Sequence, residues 1–335
     1  MKSYKNILLI NFGGIGDEIL FLPVIQGLKK TYPDSKITLC LEERSSAFLK
    51  LTNLIDYAFY INIKTKNKYI EMLKLYFKAL TGKYDLVISS GSNPLIPVLL
   101  FFTGIKERAG YKTNKLSEKL LTIPVNLNKN QYAANMYFDL VKSITKGNFE
   151  LPYIKTEEAE KIKNSVLIHP GVSRISISKN IIKIFNGSQW ANLIKLLLKE
   201  GFKVILAGGP DDSECINKIR ENLKGENLTN FTDMFGETKN IYDLAVLIKK
   251  SEILVCSDSA PMHIGVATNT KTIAIFGPTD EKKLLPVSDK FIAITNNSDC
   301  RPCLWAKRQE TCRDLKCLNI DLNKIVENIK CLLSN

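Results

Sequence analysis

The sequence predicts an α/β protein built of two doubly wound domains in series, each a parallel sheet covered by helices on both faces. Three observations carry that expectation. Short apolar runs end at glycine turns, as buried parallel strands do. Stretches with apolar residues at helical spacing alternate with those runs, which is the order of a parallel sheet with crossover helices. The alternation then starts afresh after residue 150, so the 335 residues read as two ordinary domains.

Taken in order, Asn6–Ile10 is a short apolar run before a glycine turn and reads as the first strand. Apolar residues at Ile19, Leu22, Val24, Ile25 and Leu28 give a helix with a core-facing stripe, interrupted early by Pro23. Lys36–Leu41 is a strand, Ser45–Leu51 is helical, Tyr57–Ile63 is a short strand, 69–80 has helical spacing, and Tyr84–Ser89 is a strand again. Leu151-Pro152 opens a polar, charged linker near 150–164, which places the domains at 1–155 and 156–335. Beyond it, Ser165–His169 is a strand ending in Pro170-Gly171, and Trp190–Lys199 is an amphipathic helix. Phe202–Ala207 is a strand running into Gly208-Gly209-Pro210, and 241–250 is a helix. Glu252–Cys256 and Lys271–Phe276 are strands, the latter stopped by Gly277-Pro278. Ligands of such sheets lie at the carboxyl ends of the strands. Two domains give two such edges, expected to face each other across a cleft.

Lysine and arginine number 47 against 34 aspartates and glutamates, a net charge of +13 that draws the protein to acidic partners. The charge is spread along the chain, with no arginine-rich arm and no basic run with interleaved aromatics, so nucleic acid is disfavoured. No apolar run reaches the roughly 18 residues that span a bilayer. The closest, Leu95–Ile105, contains Pro97 and Gly104. The amino terminus runs from Met-Lys-Ser-Tyr-Lys straight into a strand and lacks the pattern of a signal peptide. A cytoplasmic protein is expected, whose eight cysteines are thiols or metal ligands rather than disulfides.

Three segments carry candidate chemistry. The first is the loop Gly13-Gly14-Ile15-Gly16-Asp17. A dinucleotide fingerprint needs a third glycine where Ile19 stands, and the Gly-Lys-Ser/Thr of a phosphate loop is absent. Asp17 stands where a helix begins, and an aspartate there is either a cap or a base. The second is Ser257-Asp258-Ser259-Ala260-Pro-Met-His263, followed by Gly277-Pro278-Thr279. A helix beginning at Ser259 and Ala260 offers backbone N–H groups and a positive dipole end that suit a diphosphate. Asp258 could equally cap that helix, and His263 could equally be a core histidine. The third is Cys300, Cys303, Cys312 and Cys317, whose C-x2-C-x8-C-x4-C spacing suits one tetrahedral zinc or iron, or else four packed thiols.

The first two segments together resemble glycosyltransferase family 9, the ADP-heptose:lipopolysaccharide heptosyltransferases. Lesser matches at Tyr84-Asp85, Ala109-Gly110-Tyr111, His169-Pro170-Gly171, Trp190, Gly208-Gly209-Pro210 and the late cysteines extend the resemblance along the chain. It implies the GT-B arrangement of two Rossmann-like domains, with the acceptor on the first and the nucleotide sugar on the second. It implies an inverting reaction that needs no catalytic cofactor, with any zinc or iron at the four cysteines purely structural. Asp17 becomes the general base, and Gly13, Gly14 and Gly16 let the backbone approach the acceptor. Asp258, Ser259, Ala260 and His263 contact the diphosphate and sugar, and Thr279 lines the same edge. Three positions depart from the family: Ser188 stands for a common phosphate-pairing lysine, Ala260 for glycine and Gln131 for histidine. Arg174, Lys179 or Lys183 could supply the missing cation. The implied donor is ADP-heptose, the acceptor a lipopolysaccharide inner-core sugar or other glycan. The protein would sit against the inner face of the cytoplasmic membrane by charge rather than insertion. In such a fold the segment 320–333 often crosses back to the first domain. The alternatives are another nucleotide sugar or a protein acceptor, a sugar-nucleotide epimerase, and a nucleotide-binding protein without activity.

Overall fold

A computed structural model describes residues 2–65, 67–158, 160–171, 185–304, 312 and 315–334. The chain divides into two compact units, Met1–Tyr153 and Ile154–Asn335.

Six strands form the first unit's sheet: β1 (Asn6–Ile10), β2 (Lys36–Leu41), β3 (Tyr57–Tyr60), β4 (Leu86–Ser89), β5 (Glu107–Tyr111) and β6 (Ile123–Val125). They pair in parallel in the order β3-β2-β1-β4-β5-β6. Its helices are α1 (Ile15–Thr31), α2 (Lys68–Thr81), α3 (Leu95–Phe102), α4 (Lys115–Leu120) and α5 (Ala133–Phe138). Pro23 does not interrupt α1, because Phe21, Leu22, Val24 and Ile25 are all fully buried and tertiary packing outweighs one lost backbone bond. The stretch expected as helix near 45–51 is a 3₁₀ helix over Glu43–Leu51. Its first turn closes through Ser45, whose N–H and hydroxyl both donate to the Glu42 carbonyl (3.0 and 2.8 Å).

The second unit repeats the plan. Its strands are β7 (Ile162–His169), β8 (Lys203–Leu206), β9 (Phe231–Asp233), β10 (Ser251–Ser257), β11 (Lys271–Ile275) and β12 (Phe291–Ile294). They pair in parallel as β12-β11-β10-β7-β8-β9. Its helices are α6 (Gly187–Lys199), α7 (Ser213–Asn222), α8 (Ile241–Lys250), α9 (Ala260–Ala267), α10 (Glu281–Leu284) and α11 (Leu322–Ser334). Numbered from its own first strand, this sheet has the same order as the other. In both, the chain reverses direction beside the first strand, between β1 and β4 and between β7 and β10. A crevice opens at the carboxyl ends of the strands at such a point.

The segment 320–333 is part of the second unit. α11 packs on α6 and β11, and buries Ile325, Val326, Ile329 and Leu332 in the same core as Val166, Trp190 and Val255. Its apolar stripe matches that core. Among the described residues no helix is long and apolar enough to cross a membrane.

Candidate active site

The first reversal point gathers the glycine loop. β1 ends at Ile10, and α1 begins at Ile15 with Gly14 as its extended N-cap residue. The Gly14 N–H donates to Asp17 Oδ2 at 2.7 Å, and the Glu18 N–H donates to the Gly14 carbonyl at 3.1 Å. Asn11 Nδ2 donates to the Asp17 carbonyl at 3.4 Å, and the Ser90 hydroxyl after β4 donates to the Asn11 side chain. Asp17 is thus held at the carboxyl edge by both strands that flank the crevice. Gly13 is required for this: a Cβ there would lie 2.3 Å from Asp17 Cβ and 2.6 Å from its carboxyl. A Cβ on Gly14 would meet an Arg44 guanidinium nitrogen at 3.6 Å and Asp17 Oδ2 at 3.8 Å, both ordinary contacts. Gly16 lies in the first turn of α1.

Several groups around Asp17 were not singled out in the sequence. Arg44 pairs with Glu42, which also faces Lys64 at 3.3 Å, so two cations and a buried carboxylate stand after β2. The half-buried Tyr137 phenol is pushed well up by burial, with the charge of Asp17 adding to the effect. Glu18 is fully buried, and neither carboxyl oxygen accepts a hydrogen bond from the described residues. Burial first, and then the charges of Asp17 and Glu42, push its carboxyl up to about 8. The signal available was position: polar residues directly after a buried strand lie at the ligand-binding edge. Gln131 Nε2 donates to Asp139 Oδ2 at 2.6 Å.

The second reversal point gathers Asp258, Ser259, Ala260, His263 and Thr279. β10 ends at Ser257, whose hydroxyl donates to the Pro170 carbonyl at 2.9 Å and so ties the end of β10 to that of β7. Ser259 is the extended N-cap residue of α9, and Ala260 opens the helix with Pro261 behind it. Asp258 and His263 are both buried. The buried Thr279 hydroxyl donates to Asp258 Oδ2 at 2.6 Å, so Thr279 fixes Asp258 rather than simply lining the edge. The second histidine, His169, is also at this point, with Nε2 3.9 Å from Asp212 Oδ2. Burial pushes its imidazole below the usual range against the pull of that carboxylate. Beside them a cavity of about 610 Å³ is lined by Gly171, Asn186, Gly187, Asp212, Cys215 and Lys218, among others. Arg174, Lys179 and Lys183 lie outside the described residues.

The described part of the late cysteine loop packs on the turn after β11. Cys303 and Leu304 donate their N–H groups to the Pro278 carbonyl at 2.9 and 3.1 Å. Arg301 donates to the carbonyls of Gly277 (2.7 Å) and Thr279 (3.2 Å) and to Glu281 (2.9 Å). The loop therefore buttresses the turn that carries Thr279, and through it Asp258. Burial pushes the Cys317 thiol up to about 11, with Cys300, Cys312 and Cys303 adding. Among the described residues no group of three or more His, Cys, Asp or Glu side chains is placed to hold a metal ion.

Two like sheets, each with polar residues collected at its reversal point, define a protein of two nucleotide-fold halves with a candidate site on each. Residues 73–313 match glycosyltransferase family 9 (heptosyltransferase), and the chain belongs to that family and is a glycosyltransferase. Among curated proteins, lipopolysaccharide heptosyltransferase 3 of Escherichia coli is 27% identical over 299 residues, 83% of this chain and 85% of the relative. Among solved structures, a family 9 glycosyltransferase of Veillonella parvula superposes with a TM-score of 0.77 at 18% identity, covering 100% of this chain and 98% of the other. The E. coli ADP-heptose lipopolysaccharide heptosyltransferase II superposes with a TM-score of 0.74 at 22% identity, covering 98% of each chain. These likenesses bear out the two-domain GT-B fold.

Proposed function

We propose that the protein moves a heptose from ADP-heptose to an inner-core sugar of lipopolysaccharide, with inversion at the anomeric carbon. The observation that carries this reading is the placement of Asp17 at the first sheet's reversal point, in a chain whose curated relatives are named heptosyltransferases. The first unit takes the acceptor. Asp17 removes the proton of the acceptor hydroxyl, whose oxygen attacks the anomeric carbon from the face opposite the diphosphate. The second unit takes the donor. Backbone N–H groups at Ser259 and Ala260 meet the diphosphate, and Asp258 and His263 hold the sugar end. Arg174, Lys179 or Lys183 supplies the cation that Ser188 does not. No metal enters the reaction. The C-x2-C-x8-C-x4-C spacing supports one structural zinc or iron in the cysteine loop, with four packed thiols as the alternative; elemental analysis of protein purified without chelator decides between them. The enzyme works in the cytoplasm against an anionic membrane face, a reading supported by the net charge of +13.

The test is incubation with nucleotide sugars, with and without a heptose-accepting core glycan. The reading expects ADP release that needs both ADP-heptose and the acceptor. Release of free sugar or an epimer without acceptor would replace it with an epimerase. Binding without turnover would leave a nucleotide-binding protein.

A further inference from the structure

We propose that α2 and α3 form a lipid-docking face, which seats the first unit on an anionic bilayer by shallow insertion of apolar side chains between flanking lysines. The inference rests on the membrane reading above and adds insertion to what charge alone would do.

α2 carries two apolar faces. One buries Leu75 and Ala79 in the unit's own core. On the other, Tyr69, Leu73, Phe77 and Leu80 recur at intervals of four, four and three, so they form one stripe on the opposite side of the helix. That stripe faces solvent: Leu73 and Phe77 are each 57% exposed and Tyr69 is 70% exposed. A helix that merely covers a sheet is polar on its outer side. α3 extends the patch. Phe102 is 66% exposed and Phe101 lies edge-to-face with it, the ring centroids 5.5 Å apart. The Tyr76 hydroxyl donates to the Phe102 carbonyl at 3.5 Å, which ties the two helices together. Contiguous apolar surface of this kind marks an interaction site.

Charge selects the occupant. Lys68, Lys74 and Lys78 lie on α2 and Lys83 just beyond it, against the single acid Glu71 in the same stretch. Glu71 itself is turned inward, accepting from the Asn62 N–H at 2.8 Å and pairing with Lys74 at 2.6 Å. Lysines bury their stems on apolar surface and keep their ammonium groups at headgroup level. Exposed Tyr57 and Tyr69 suit the same interfacial depth. A second copy of this chain would bring the same lysines against these across a two-fold axis, so like charges would oppose the contact. At 14 residues α2 is too short to span, and it lies flat in the interface.

The test is co-sedimentation of the full chain with phosphatidylcholine vesicles, with and without phosphatidylglycerol, over a range of salt. Wild type is expected to bind only the anionic vesicles and to keep a bound fraction at high salt. The double variant Leu73→Ser with Phe77→Ser should lose that salt-resistant fraction and fall at least about tenfold in partitioning. Lys68→Glu with Lys78→Glu should weaken binding and flatten its salt dependence. Both should keep the wild-type melting transition and turnover on a short water-soluble acceptor, since all four side chains are exposed. Equal vesicle binding by the apolar variant, or no wild-type binding to anionic vesicles, overturns the proposal. So does light scattering that shows wild-type dimers which Phe77→Ser dissolves. Wild type that binds vesicles but transfers no sugar would overturn the transferase reading and leave this face standing.

Discussion

Asp17 and Glu18 are neighbours in sequence whose surroundings give them opposite duties. Successive helix positions differ by about 100° in direction, so one carboxyl faces the sheet edge and the other the core. Glu18 enters the core without a hydrogen-bond partner and is held protonated, its carboxyl pushed up to about 8. Its folded pKa lies above the unfolded value. The stability it contributes is therefore full below the usual glutamate range and is lost as pH rises through about 8. Denaturant midpoints from pH 5 to pH 9 should fall more steeply for wild type than for Glu18→Gln, which carries no charge to bury. Parallel curves would mean that Glu18 is not buried as a carboxylic acid. Gly13→Ala puts a methyl where Asp17 Cβ stands, so the carboxylate must leave its place. Turnover should fall by at least about tenfold while calorimetry finds ADP affinity unchanged, because ADP is assigned to the other unit. The Gly-Asp pair was legible in the sequence because glycine beside an acid at a strand end is a local pattern. Glu18, Arg44 and Glu42 were not, because which side of a helix or turn faces inward is set by distant contacts.

At the scale of elements, the long apolar strands, the short strand β3 and the helices with clear stripes were legible, and several other short strands were not. β5 is Glu-Arg-Ala-Gly-Tyr and β6 is Ile-Pro-Val, neither a continuous apolar run. β9 and β12 are three and four residues long. Such strands follow from pairing with a neighbour already in place, so their own sequences carry little of the signal. The late loop was legible as a cysteine pattern, but its contact with the Gly277–Thr279 turn was not. That contact assigns Arg301 a positioning role, since one guanidinium holds two carbonyls of the turn and Glu281. Arg301→Lys keeps the charge and loses the fork. It should cost about 1–3 kcal/mol of stability and weaken ADP binding without altering acceptor affinity. Unchanged ADP affinity in a folded Arg301→Lys protein would separate the loop from the donor site.

For the whole molecule, one plan is used twice: the same strand order, the same reversal beside the first strand, and polar residues collected at each reversal. The repetition was legible because the alternation restarts after a polar linker, and the ordered motifs carried the family. The positive charge, spread over both units, suits an enzyme whose substrates carry phosphate. Asp17→Asn, assayed beside wild type for acceptor-dependent ADP release, tests the transfer reading most directly, because it keeps the shape of the loop and removes the base. Turnover should fall by roughly 10²–10⁴-fold with ADP affinity intact. Near-normal turnover in Asp17→Asn would contradict it.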